Sequence, residues 1–316
     1  MAGVRRSLTV ELPGLTLPTP VMIASGCAGT GREIGAFVDT RKLGGIVSRS
    51  ITLLPRKGTP TPRIAESPSG VVWSTGLQNP GIEAFLVDEF PRLIRTGAPV
   101  IVSIAGGTLE EFVRLTSLLQ GRAGVSAIET HLSEPDEELD LESLASRADR
   151  AAEIVGAVAR MSMVPVFAKL PAFVGDLVGV ARACVRAGAT GLTLVDAVPA
   201  LGVRAERFRA ELGSVTGRLS GPAIRPIALR AVHEVSRAIP DVPILGCGGV
   251  QRGEDAVEML LAGARAVQVG TAALVDPAAP VEVAAGVAAF LKRKGLTSPA
   301  DLLGRLRVPS NEALLG

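Results

Sequence analysis

Short apolar runs alternate along the chain with longer stretches whose apolar residues recur at helical spacing. Eight runs stand out: Pro20-Val-Met-Ile-Ala-Ser, Gly45-Ile-Val-Ser, Pro99-Val-Ile-Val-Ser-Ile, Ser126-Ala-Ile-Glu-Thr, Pro165-Val-Phe-Ala-Lys-Leu, Gly191-Leu-Thr-Leu-Val, Pro243-Ile-Leu-Gly and Ala266-Val-Gln-Val-Gly. Nearly continuous apolar strands are what a parallel sheet covered by helices demands, so the pattern predicts an α/β fold. Helices are expected over Gly81–Arg95, Leu109–Leu119, Leu141–Met161, Asp176–Ala187, Ala223–Ile239, Glu254–Ala262 and Val281–Lys292. Eight strands favour a closed (β/α)8 TIM barrel over an open doubly wound sheet, and a barrel of this kind can take up all of residues 1–316 as a single domain. Two insertions break the rhythm. Leu53–Gly76 is rich in Pro and Gly, and Pro199–Leu219 carries six charged residues in an expected loop or short helix. Both follow the C-terminal ends of strands, the face where such barrels carry their sites, so both are read as site walls or lids.

Composition narrows the function. Hydrophobic residues make up 47% of the chain, yet no apolar run is long enough to span a bilayer, which assigns the surplus to a core. Basic residues number 33 and acidic residues 31, and there is no Tyr, so neither a cationic footprint nor stacking platforms point to nucleic acid. Cys27, Cys184 and Cys247 have no metal-ligand spacing, which fits a reducing cytoplasm, and the start has no apolar secretory core.

Three features carry chemistry. Ile128–Asp136 puts His131, Ser133, Glu134 and Asp136 directly behind the fourth run, either as a site or as a solvated turn. The seventh and eighth runs end in Gly246-Cys-Gly-Gly-Val and Gly270-Thr-Ala-Ala. Glycines there let backbone N–H groups approach an anion, so a phosphate-bearing ligand is expected at the last two strands. Lys169 closes the fifth run, where an ammonium favours an anionic partner and an unprotonated amine would form a Schiff base; residue type alone does not choose.

Taken together, Leu12-Pro-Gly-Leu, Ala24-Ser-Gly-Cys, Thr59-Pro-Thr-Pro-Arg, Gly76-Leu-Gln-Asn-Pro-Gly, Ala168-Lys-Leu, Leu219-Ser-Gly-Pro-Ala-Ile, Gly246-Cys-Gly-Gly-Val and Val269-Gly-Thr-Ala form an ordered series. The series resembles the class 1 dihydroorotate dehydrogenases, and the subclass 1B catalytic subunit most closely. The resemblance implies an FMN-binding barrel, with Ala24 and Ser25 against the flavin. It puts Ser220 and Gly221 near the ribityl phosphate, Gly248, Gly249, Gly270 and Thr271 around the phosphate, and Lys169 as the flavin lysine. It also implies a homodimer and an iron–sulfur electron-transfer subunit as partner.

The substrate half departs from the family. Where the family reads Asn-x-Ser-Cys-Pro-Asn, with cysteine as base, this chain reads His131-Leu-Ser-Glu134-Pro-Asp136. Two further family asparagines fall on Trp73 and Asp196, a lysine falls on Arg49, and Ser103 and Phe173 also stand where asparagine is usual. Glu134, Asp136 and Asp196 would bring negative charge to a site for an anion such as orotate, which is costly in a desolvated pocket. The expectation is therefore an FMN-dependent oxidoreductase exchanging hydride with a substrate other than dihydroorotate, in specialised biosynthesis. Glu134 and His131 are its acid/base residues, and Arg49, Trp73, Gly76, Leu77, Asp136 and Asp196 shape its substrate pocket. No metal is expected. The alternatives are a true dihydroorotate dehydrogenase with an unusual base, and a non-catalytic FMN-binding or regulatory barrel.

Overall fold

A computed structural model describes residues 7–133 and 144–307. The eight apolar runs all become barrel strands: β1 (Val21–Ile23), β2 (Gly45–Val47), β3 (Val100–Ile104), β4 (Val125–His131), β5 (Val166–Leu170), β6 (Gly191–Leu194), β7 (Ile244–Cys247) and β8 (Ala266–Val269). Consecutive strands pair in parallel, and β8 pairs with β1 to close the barrel. The expected (β/α)8 TIM barrel is therefore the fold. Its strands are buried on both faces, inward by one another and outward by helices, which is why their sequences are almost continuously apolar.

Helix ends follow local chemistry. Leu109–Leu119 starts at Thr108, whose hydroxyl accepts from the Glu111 N–H, and Leu177–Arg186 starts at Asp176, whose carboxylate accepts from the Gly179 N–H at 2.8 Å. The helix expected over Gly81–Arg95 is present in three segments, Ile82–Ala84, Phe85–Glu89 and Phe90–Arg95, the middle one wound as a π-helix. Pro91 has no N–H and its ring crowds the carbonyl four residues back, so a regular α-turn cannot run through this stretch. The expected helix Leu141–Met161 begins only at Ala148 among the described residues. Leu144 and Ala145 are fully buried from a turn, so their apolar character reflects packing and not helical periodicity.

A hairpin of Val10–Leu12 and Leu15–Leu17 closes the end of the barrel opposite the strand C-termini. Its inward side chains pack with Met22, Val47, Ile101, Phe167 and Leu245 in one cluster, and Gly14 sits against Pro165 at the start of β5.

The two insertions do not form separate loops. Ile64–Ser67 and Gly70–Trp73 make a hairpin, Val198–Ala200 and Gly217–Ser220 make another ladder, and the two join in a four-stranded antiparallel sheet over the C-terminal face. The short helix expected in the second insertion is a single 3-10 turn, Ala205–Arg207. Cross-insertion pairing of this kind depends on distant residues and leaves no local signal in either segment. Among the described residues, no helix is long and apolar enough to cross a membrane.

Candidate active site

One cavity of about 320 Å³ opens between the barrel's C-terminal ends and the antiparallel sheet. Ala24, Ser25, Arg49, Trp73, Leu77, His131, Lys169, Asp196, Ser220, Gly221, Gly248, Gly249, Gly270 and Thr271 all line it. Gly76 does not; it adopts φ +61° where a Cβ would strike the backbone of Thr59, so its role is to turn the chain and present Leu77. Phe173 is exposed and lies away from the cavity, and Ser103 is fully buried behind it, 2.9 Å from the Ser50 hydroxyl. Glu134 and Asp136 lie outside the described residues.

One end of the cavity is built of glycine. Gly248, Gly249 and Gly221 have φ of +126°, +75° and +97°, the left-handed region that L side chains avoid. A Cβ on Gly249 would lie 2.6 Å from the Arg225 Cβ and 2.9 Å from its backbone N. Arg225 itself is held away from the cavity by Asp255 and Glu258. What this end offers a ligand is therefore backbone N–H groups and the hydroxyls of Ser220 and Thr271.

The other end is charged and buried. Lys169 at the end of β5 lies 3.8 Å from Glu129 Oε1 on β4 and 3.8 Å from Asp196 Oδ1 beyond β6. Asp196 Oδ2 in turn lies 3.8 Å from His131 Nε2 and 3.6 Å from the Arg218 guanidinium. Glu129 is fixed from behind, its Oε2 accepting from the Thr193 hydroxyl at 2.8 Å and the Gln268 amide at 2.9 Å. Burial alone would lower the pKa of Lys169, but Glu129 and, less strongly, Asp196 hold it above the ordinary lysine value. Burial would likewise raise the pKa of Asp196, but His131, Lys169 and Arg218 hold it well below the usual carboxylate range. The two carboxylates thus favour the ammonium form of Lys169. A Schiff base needs the free amine, which these neighbours disfavour.

Glu129 and Arg218 were not among the expected site residues. Glu129 could have been found: a carboxylate inside an apolar strand, two residues before His131, must share its face. Arg218 could not, because it reaches the site through the cross-insertion sheet, where it also donates to the Ser133 carbonyl at 2.8 Å. With these partners, Asp196 is not the unbalanced negative charge that its sequence position implied. Arg49 lines the cavity as expected and pairs at 3.3 Å with Glu89 from the π-wound segment.

The cysteines bordering the cavity are neutral. Burial, reinforced by Cys247, pushes the Cys27 thiol up to about 12, and burial pushes Cys247 up to about 11 despite the pull of Lys169. Neither can serve as a base near neutral pH.

The family model for dihydroorotate dehydrogenase matches residues 7–291. The chain belongs to the dihydroorotate dehydrogenase family. The catalytic subunit of dihydroorotate dehydrogenase B (NAD(+)) from Desulforudis audaxviator is 44% identical over 295 residues, covering 93% of this chain and 96% of that one. The subunits of the same name from Geotalea daltonii and Geobacillus kaustophilus are each 42% identical, over 95% and 94% of this chain and 98% and 95% of theirs. Dihydroorotate dehydrogenases of this kind are flavin-dependent oxidoreductases that carry FMN, and the cavity fits it. The glycine-lined end is open to a phosphate where any Cβ on Gly249 would collide with Arg225, and the buried ammonium of Lys169 stands at the far end for the ring.

Proposed function

We propose that this protein is the catalytic chain of a dihydroorotate dehydrogenase, oxidising dihydroorotate with FMN as acceptor. The observation that carries the redox chemistry is the pairing, in one cavity, of the glycine cradle with a buried lysine held charged by Glu129 and Asp196. Dihydroorotate as substrate is supported by relatives that are 42–44% identical over nearly the whole chain and bear that name. It is further supported by the cations that balance Asp196, which weaken the electrostatic objection to an anionic substrate.

FMN, when bound, supplies the hydride acceptor. The chain's own residues do the rest: Lys169 stabilises negative charge developing on the acceptor, and Asp196 keeps Lys169 and His131 in place. Glu134, standing where the family has its base, takes the proton from the carbon next to the one that loses hydride. His131, buried beside Asp196, shares that proton or orients Glu134. Arg49 and Leu77 bound the substrate side. The relatives' description as catalytic subunits of an NAD(+) enzyme supports an electron-transfer partner subunit, and we extend the proposal to a homodimer of this chain in the cytoplasm.

A second reading, a substrate other than dihydroorotate, is favoured by one specific observation. His131 Nε2 lies 3.8 Å from Asp196 Oδ2, and the sequence resemblance puts both residues where the family has neutral amides, so the donors and acceptors offered to a ligand differ. Anaerobic addition of dihydroorotate separates the two. The first reading expects prompt bleaching of the flavin, abolished in Glu134→Gln while FMN stays bound. Persistence of the oxidised spectrum in the wild-type protein, with bleaching by another reduced metabolite, would transfer the proposal to the second reading.

A further inference from the structure

Trp73 sits on the wall of the cavity but is tied to its phosphate end. Its indole Nε1 donates to the Ser220 hydroxyl oxygen at 2.9 Å, and the Thr271 hydroxyl donates to the same oxygen at 2.8 Å. The sheet register explains the contact. Arg218 lies opposite Trp73, so Ser220 two residues on is its diagonal neighbour on the same face, within reach of a long aromatic side chain. The hairpin also packs directly on the cradle, because a Cβ on Gly221 would come within 3.0 Å of the Gly70 Cα.

A serine hydroxyl has two acceptor lone pairs and one donor hydrogen. Trp73 and Thr271 occupy both acceptor positions, which leaves Ser220 only its O–H to offer, and the described residues give that O–H no acceptor. We infer that Trp73 is a positioning residue for the cofactor: together with Thr271 it turns the Ser220 O–H into the cavity as a donor to the phosphate of FMN. This role rests on the FMN reading above. It differs from the substrate-side role that the position of Trp73 in the sequence implies, and it assigns the antiparallel sheet a part in holding the cofactor as well as in covering the site.

The test measures the dissociation constants of FMN and of riboflavin, which has the same ring and ribityl chain without the phosphate. Wild-type, Trp73→Phe, Ser220→Ala and the double variant are compared. Trp73→Phe keeps an aromatic side chain but loses the five-membered ring that carries the N–H donor; it is expected to weaken FMN about threefold to tenfold and to leave riboflavin unchanged. Ser220→Ala is expected to weaken FMN at least as much, the double variant no more than Ser220→Ala alone, and Ser220→Thr, which keeps the oxygen, to retain binding. Trp73 is the only tryptophan and the chain has no tyrosine, so indole emission reports this one site and should be quenched by FMN to a sharp equivalence point in the wild-type protein. The inference is overturned if Trp73→Phe binds FMN as the wild type does, if riboflavin loses as much affinity as FMN, or if the two substitutions multiply. A wild-type protein that binds no FMN would instead remove the reading on which the inference stands.

Discussion

Lys169→Met is expected to give a protein that still binds FMN but whose flavin is reduced about 100- to 1,000-fold more slowly, the cost of removing a single preorganised charge-stabilising group from a buried site. The same substitution strips Glu129 and Asp196 of the cation 3.8 Å from each, leaving buried carboxylates short of compensation. Breaking a buried pair in this way costs about 3–5 kcal/mol, which for a chain of this size lowers the unfolding midpoint by roughly 10 °C. The pH dependence gives a separate signature. Because the folded state holds Lys169 above its ordinary value of 10.5, its stabilisation is complete below that pH and is lost as pH rises through the higher folded value. Asp196 has the opposite sign. Its stabilisation is present above the ordinary 3.8 and is lost as pH falls through its lower folded value. The part of the alkaline dependence that Lys169 contributes should be lost in Lys169→Met, leaving that of the buried thiols, and stopped-flow reduction together with thermal scans across pH would measure both effects.

Gly249→Ala is expected to cost the protein its cofactor. At φ +75° an alanine is strained, and its Cβ would fall 2.6 Å from the Arg225 Cβ and 2.9 Å from the Arg225 N. Arg225 cannot give way cheaply, since it opens the helix Arg225–Ala238 and is gripped by Asp255. The turn at Gly248 and Gly249 must move instead, and its N–H groups move with it. Strain of this kind is worth about 1–3 kcal/mol, and with the displaced donors an FMN affinity loss on the order of 100-fold is expected. Gly295→Ala is the control, because Gly295 has a comparable φ of +69° but nothing within 4 Å of a Cβ. It should share the backbone strain and keep FMN at wild-type affinity; equal loss in both variants would show that the cradle geometry is not what matters.

The legible part of this molecule was the part whose physics is local. Each barrel strand is buried on both faces and so wrote itself as a continuous apolar run, and Gly248, Gly249 and Gly221 mark a cradle because only glycine tolerates those backbone angles. Leu144 and Ala145 misled the helix boundary because burial in a turn looks the same as burial in a helix when only side-chain polarity is read. The four-stranded sheet escaped notice because its register joins residues near position 70 to residues near position 218. The site's electrostatics failed for the same reason. Asp196 is legible as a negative charge, but Arg218, which reaches it across that sheet, is not; Glu129 differs, since its alternation with His131 along the strand puts the two on the same face. For Asp196, the partners Lys169 and Arg218 offset the charge that its sequence position alone would bring toward an anionic ligand.

The most direct test of the account is the absorbance spectrum of the purified protein, with released flavin quantified against chain concentration. The account predicts the two visible bands of an oxidised flavin and one FMN per chain, retained on gel filtration or restored by adding FMN. A colourless protein that takes up no added FMN would contradict it.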